Sequence, residues 1–356
     1  MLAVVVHGPG DLRVEEVPEP TCGPGEVVVA MEWGGICGSD VAYVRSGASG
    51  TAVLAEPLVL GHEVAGRVAQ VGSDVRGVEV GTAVTLHPAT LVGDHDVAEE
   101  LLPRTNLWPQ VRYLGSAAFR PHEQGGFSAR RAVRPDQLRP LPGSVSTREG
   151  ALAEPFGVAL HAVRRAGDVA VRSVLVNGAG PIGALAVAAA KAAGAAHVYA
   201  ADLSDAALEI AARMGADTVV RLADGEALPT DVEIAIEASG APAALGGVIA
   251  AVRRGGVLVQ VGNLPLGDMS AALGNIVTRE IDYRGSYRFV DEISDALQLM
   301  ASGVDVGPLM THRFPLADAV EAFALAADRG TGSSKVMLDL TTASRTDARP
   351  PPGRRR

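Results

Sequence analysis

The sequence predicts an α/β protein in two parts, an antiparallel β domain followed by a doubly wound parallel sheet, and three observations lead to it. The chain has 356 residues, about twice the usual size of one domain, so each half can bury a core of its own. Up to about residue 86, short Val-rich runs alternate with Gly and Pro, as in Gly25-Glu26-Val27-Val28-Val29 and Gly66-Arg67-Val68-Ala69-Gln70-Val71-Gly72, which is the texture of antiparallel strands. Beyond about residue 150, apolar runs alternate with Ala-rich stretches of helical spacing, the strand, helix, strand succession of a wound parallel sheet.

In chain order, Met1 to Val6 followed by His7-Gly8-Pro9-Gly10 has no basic leader and reads as a first strand and turn, not a signal peptide. Residues 87 to about 125 mix charge, Pro and aromatics without periodicity and read as an extended surface lobe. Strands are then expected at Ser173–Asn177, His197–Ala201, Asp217–Val220, Val232–Ile236, Val257–Val261 and Ile281–Arg284. Helices are expected at Pro181–Ala193, Ala206–Met214, Ala243–Arg253, Asp291–Ser302 and Leu316–Asp328. The apolar stretch Val174–Ala190 is interrupted by Asn177, Pro181 and three glycines, so no membrane span is expected. The stretch 342–356, with Pro350, Pro351, Pro352 and a closing run of Arg354, Arg355 and Arg356, reads as a short disordered tail.

Composition excludes several classes. Hydrophobic residues at 47% and charged residues at 20% describe an ordinary globular chain. A net charge of −10 argues against nucleic-acid binding. Only Cys22 and Cys37 are present, which gives no disulfide framework and points to a reducing, cytoplasmic compartment.

The turn Gly178-Ala179-Gly180-Pro181-Ile182-Gly183 has the spacing that grips a dinucleotide. Its first glycine permits the turn, its second lets phosphate approach the backbone, and its third lets the helix pack on the strand. The pyrophosphate then meets free N–H groups at a helix N-terminus. Asp202, about 20 residues on, ends the next expected strand, where a carboxylate accepts from ribose hydroxyls and repels a 2′-phosphate. NAD is therefore favoured over NADP. Asp202 is also compatible with capping the following helix.

A thiol, an imidazole and a carboxylate are zinc donors, and the chain offers Cys37 in Gly35-Ile36-Cys37-Gly38-Ser39-Asp40 and His62 with Glu63 in Gly61-His62-Glu63-Val64-Ala65-Gly66. Taken singly, Cys37 also reads as a small buried apolar residue and His62 as a structural histidine.

The whole string from Gly61 to Gly66, continued to Gly72 and Val75, resembles the signature of the zinc-containing alcohol dehydrogenases of the medium-chain dehydrogenase/reductase superfamily. Further segments are similar to its polyol (sorbitol) dehydrogenase branch, nearest to bacterial L-idonate 5-dehydrogenases. These are Leu114 to Ala118, Pro121 to Phe127, Ala153 to Val163, and Arg284-Gly285-Ser286-Tyr287-Arg288-Phe289.

The resemblance implies a GroES-like β catalytic domain over residues 1–150, completed by 287–341, and a Rossmann domain over 151–286. It implies one catalytic zinc at Cys37, His62 and Glu63, with Glu154 as a second carboxylate beside it. Ser39 would take the hydroxyl proton, Arg288 would pair with a sugar-acid carboxylate or polyol hydroxyls, and Val261 and Gly262 would join Gly178, Gly180, Pro181, Ile182, Gly183 and Asp202 in holding NAD; Tyr43 and Phe119 read as pocket walls, Phe119 equally as core packing. It also implies a homo-oligomer, dimer or tetramer, associating through edge strands.

Two departures from the family stand out. Relatives with a second, structural zinc hold it by four cysteines, whereas His87 to Trp108 contains none, so that zinc is expected to be absent and His87 and His95 to lie in a solvated loop. Where polyol dehydrogenases often carry a relay histidine, this chain has Ala42. Two other readings stay open: a dehydrogenase of cyclitols or other polyols in secondary metabolism, and a zinc-free NADPH-dependent enone reductase. A cofactor-binding protein without catalysis is the reading from outside the enzymes.

Overall fold

The computed structural model of the chain describes residues 1–341 other than Val92 and Asp94; the expected tail at 342–356 lies outside the described residues. The N-terminal part is built on a seven-stranded sheet. Its order is Leu138–Pro140, Ala83–Leu86, Glu63–Val71, Val27–Gly35, Lys335–Asp339 and Met310–Pro315, with Arg130–Val133 also paired to Val27–Gly35. The central strand Val27–Gly35 shares one side between two partners: Arg130–Val133 pairs with residues 27–30 and Lys335–Asp339 with residues 33–35, both antiparallel. A late segment thus completes a sheet begun near the N-terminus. The strand Leu2–Gly8, between Asp11–Glu16 and Leu58–Val59, forms a second small sheet. Val4, Val6, Val27, Val29, Leu58, Leu60, Val64 and Phe127 fill the core between them.

The second part is a six-stranded sheet with every pair parallel. Along it run Thr218–Arg221, His197–Asp202, Ser173–Asn177, Val232–Glu237, Val252–Gln260 and Asp282–Gly285, the third, second, first, fourth, fifth and sixth strands in chain order. This is the dinucleotide-binding order, and its direction reverses between the first and fourth strands. Ser173–Asn177 falls where the sequence placed it, and the second, third, fourth and sixth strands within one residue.

The fifth strand starts earlier than expected, because the helix before it, Pro242–Ala251, ends at once in Val252. The strand then passes through Gly255 at φ +63, opposite a register shift between Val232 and Ile234. The last expected helix begins as a 3-10 turn at Leu316–Asp318 and continues as Ala319–Ala327.

The helix Ala153–Ala166 links the two parts and was not foreseen. Pro155 is tolerated within its first turn, Glu154 lies at its positive end and Arg164 and Arg165 at its negative end, and Gly167 at φ +92 terminates it. Phe156 and Ala159, fully buried on this helix, pack into the same core as Val176, Ile236 and Ile293. No described helix is long and apolar enough to cross a membrane.

Candidate metal centre and cofactor cleft

Cys37 sits at the N-terminus of the helix Gly38–Ser46, where Asp40 turns back to accept from the Cys37 backbone N–H at 3.0 Å. The other oxygen of Asp40 accepts from Gly61 N at 3.3 Å and lies 3.7 Å from His62 Nδ1. This fully buried carboxylate ties the thiol-bearing turn to the Gly61-His62 loop. Sequence reasoning named Ser39, half-buried beside it, and passed over Asp40, although its place three residues after Cys37, the residue that caps the helix, was a capping signal.

The donor atoms of Cys37, His62 and Glu63 lie within 4.8 Å of one another. Glu63 follows His62 as the first residue of the Glu63–Val71 strand, and both its oxygens accept from Lys335 Nζ at 2.7 Å. That lysine, on Lys335–Asp339, has a side chain 4% exposed and was likewise missed. Glu154, 4% exposed, stands beside the set and accepts from the Tyr113 hydroxyl at 2.5 Å.

Burial raises the pKa of Asp40 and of Glu154, in each case against the pull of His62. Burial works against a charge on His62 too, but Asp40, Cys37 and Glu154 outweigh it and hold its pKa well above 6.5. Burial and Glu154 together lift the Tyr113 phenol well above 10. A thiol and three buried carboxylates thus face one lysine and one imidazole, and buried acids in such excess are relieved either by protonation or by a bound cation. The donor set has the chemistry of a zinc site, and a histidine whose other nitrogen faces a carboxylate is the arrangement that orients metal-bound imidazoles. The residues fit the metal.

The phosphate turn has the shape its spacing implies. Gly178, at φ +90, could carry no Cβ without meeting Ser239 N at 2.5 Å, and a Cβ on Gly183 would lie 1.7 Å from Gly178 O. Gly180, just ahead of the helix Pro181–Ala192, has open space on its Cβ side. Asp202 Oδ2 accepts from Ala179 N at 2.6 Å and Oδ1 from Ser204 N at 2.9 Å. The cap of the next helix is Ser204, which accepts from Ala207 N, so Asp202 braces the turn and does not cap.

A cleft of about 350 Å³ opens at the carboxyl ends of the fifth and sixth strands, where Val261 and Gly262 face Ser286 and Tyr287, with Asn106 and His161 completing its wall. Arg288 stacks its guanidinium over Tyr113 at 4.0 Å and Tyr287 at 5.0 Å. The cleft and the Glu154 corner are therefore joined through adjacent residues.

Three expectations are corrected. Tyr43 is 3% exposed in the β-sheet core, its hydroxyl accepting from Ala117 N at 3.0 Å, so it packs behind the site instead of walling it. His87 is 2% exposed, with Nε2 on Val290 O at 2.8 Å and its ring edge against Phe289; it is core, not solvated loop. His95 stacks half-buried on Trp108. The stretch 87–125 is only partly a surface lobe, since Tyr113, Leu114 and Asn106 are buried and two of them reach the sites just described. Phe119 is half-buried under Arg112 at 5.4 Å.

Residues 23–143 match the alcohol dehydrogenase GroES-like domain family and residues 181–302 the zinc-binding dehydrogenase family. Sorbitol dehydrogenase of Bos taurus is 39% identical over 350 residues, covering 95% of each chain. The structure of L-idonate 5-dehydrogenase from Escherichia coli superposes with a TM-score of 0.86 at 32% identity, over 95% of this chain and 97% of that one. A zinc-binding dehydrogenase from Sinorhizobium meliloti, bound to NADP, superposes at 0.85 with 28% identity, over 95% and 98%.

Proposed function

Since the chain belongs to the zinc-containing medium-chain alcohol dehydrogenases, in their polyol branch, and is an alcohol or polyol dehydrogenase, we propose that it transfers hydride between a secondary alcohol of a sugar acid or polyol, L-idonate foremost, and NAD. The convergence of Cys37, His62 and Glu63 beside a cleft at the carboxyl ends of a parallel sheet carries this reading. Cys37, His62 and a carboxylate, Glu63 or Glu154, would hold the zinc, which would supply the charge that lowers the pKa of the substrate hydroxyl, and a nicotinamide in the cleft would supply the hydride acceptor.

The chain's own residues do the rest. Asp40 orients His62, and Lys335 holds Glu63 in a fixed direction. Ser39 Oγ is the first acceptor for the hydroxyl proton. With Ala42 in the relay position, Glu154 is the next carboxylate able to hold it, and Tyr113 keeps one of its oxygens in place. Arg288, between two tyrosine rings, offers its edge to a substrate carboxylate or hydroxyls. Gly178, Gly180, Pro181, Ile182 and Gly183 receive the pyrophosphate, and the Asp202 charge disfavours a 2′-phosphate, which supports NAD even beside a relative bound to NADP. Tyr283, 40% exposed on the edge strand Asp282–Gly285, supports association into a homo-oligomer.

The test is zinc per chain after purification in metal-free buffer, with NADH formation from L-idonate and a panel of neutral polyols and cyclitols. One zinc and idonate turnover is the expected result. One zinc with turnover only on another polyol moves the substrate, and absence of zinc with no turnover restored by adding it overturns the mechanism. Cys37→Ser is expected to lose zinc and activity together.

A further inference from the structure

Glu237, the last residue of the strand Val232–Glu237, is fully buried. Among the described residues no lysine, arginine or histidine pairs with it, and five hydrogen-bond donors converge on it instead. Oε1 accepts from Asn177 Nδ2 at 3.2 Å, from Ser239 N at 2.9 Å and from the Ser239 hydroxyl. Oε2 accepts from Gly240 N at 3.1 Å and from Gln260 Nε2 at 2.5 Å. All but the hydroxyl are N–H groups, which donate and cannot receive, the set that a carboxylate satisfies. A carboxylate taken out of water with no cation beside it is costly to keep. Its use lies in what the donors hold together.

The donors belong to the ends of three strands. Asn177 closes the first strand and leads into the phosphate turn, and Ser239, just after the fourth, lies against Gly178 in that turn. Gln260 closes the fifth strand and leads into Val261 and Gly262 of the cleft wall. The N–H groups of Val261 and Gly262 both donate to the Glu237 carbonyl at 2.9 Å. Gln260 Nε2 also donates to Gly262 O at 2.7 Å, and since a carbonyl only accepts, that contact fixes Nε2 as the atom turned to Glu237. One residue therefore ties the turn after the first strand to the loop after the fifth, across the point where strand order reverses.

We propose that Glu237 is a positioning residue that sets the spacing between the phosphate turn and the far wall of the cleft, and through it the fit of a ligand that has to reach both. Being fully buried, it acts through Asn177, Ser239 and Gln260. A ligand anchored at two ends gains from the second only when both fit at once, so a changed spacing weakens a dinucleotide and spares a nucleotide held at the turn alone. The inference rests on the dinucleotide reading of the turn and cleft.

Calorimetric titration of the purified protein with NADH and with ADP tests it without turnover, since ADP carries the adenosine and the phosphates but nothing that reaches the cleft. Glu237→Gln keeps the shape, but an N–H group replaces one accepting oxygen and meets donors at whichever end it lies. The ratio of NADH to ADP affinity is expected to fall at least about tenfold, while ADP binds within about twofold of wild type, which also shows that the variant is folded. Equal weakening of both ligands makes Glu237 a structural residue, and an unchanged ratio frees the spacing from it; either overturns the proposal. Where Glu237→Gln does not fold, Glu237→Asp, which keeps the charge and shortens its reach, is read by the same ratio with the same outcomes. Wild type that binds ADP as tightly as NADH removes the dinucleotide reading and the proposal with it, whereas the other failures leave that reading standing.

Discussion

Replacing Lys335 by Met probes the electrostatic closure of the metal centre. The two oxygens of Glu63 accept from Nζ at 2.7 Å, with side chains 1% and 4% exposed. Burial disfavours the lysine charge, but Glu63 and Cys37 outweigh it and hold its pKa above 10.5. Since the folded pKa is the higher one, the stabilisation is fully present below pH 10.5 and is lost only as pH rises through the folded value. At neutral pH the Lys335→Met protein therefore keeps a buried carboxylate whose partner is gone, which costs about 3–5 kcal/mol. In Glu63→Gln/Lys335→Met no such charge remains, and the double variant is expected to be more stable than the single lysine variant by about 2 kcal/mol or more. Urea unfolding of metal-free protein measures both, with Trp33 on the Val27–Gly35 strand as the fluorescent reporter. A loss below about 1 kcal/mol in Lys335→Met, or strictly additive behaviour in the double variant, would refute the assignment of Lys335 as the counter-charge of Glu63.

Other outcomes are expected from the same geometry. Burial opposes ionisation of Glu292, yet the hydrogen bond and charge of His161 depress its carboxyl from 4.5 to about 2. The pair is shared with half-exposed Arg164, so Glu292→Gln should cost about 2 kcal/mol above pH 5, a difference that vanishes in unfolding measurements as pH falls towards 2. Gly183→Ala drives a Cβ to 1.7 Å from Gly178 O; NADH fluorescence titration should show at least about a hundredfold weaker binding, and unchanged affinity would dismiss the phosphate turn. Arg221 is the parallel-sheet neighbour of Asp202, so Asp202→Ser should move the NAD to NADP preference in kcat/KM at least about tenfold towards NADP.

The parallel sheet was legible because its inner strands are short apolar runs set off by Ala-rich helical periods, and both signals are local. The phosphate turn was legible for the same reason, its glycines being fixed by contacts within the turn and with Ser239. The helix Ala153–Ala166 was not, since its Glu, Pro and Gly interrupt the apolar stripe and its burial is supplied by both halves of the molecule. Tyr43 was misread because an aromatic residue six positions after Cys37 suits a cleft wall as well as a core. Only the partner at Ala117, 74 residues away, separates the two. Lys335 carried no signal at all, because a lone lysine in a Ser-rich approach to a strand announces solvent, and its carboxylate lies 272 residues back.

That separation orders events during synthesis. At roughly 5–20 residues per second, Glu63 waits on the order of 15–50 s for its cation to be made. The six parallel strands, ending at Gly285, are all available before then. Until the strand Lys335–Asp339 arrives, residues 33–35 of the central β-strand have an open edge, so a nascent chain holds a finished nucleotide half beside a metal half still lacking its last strand.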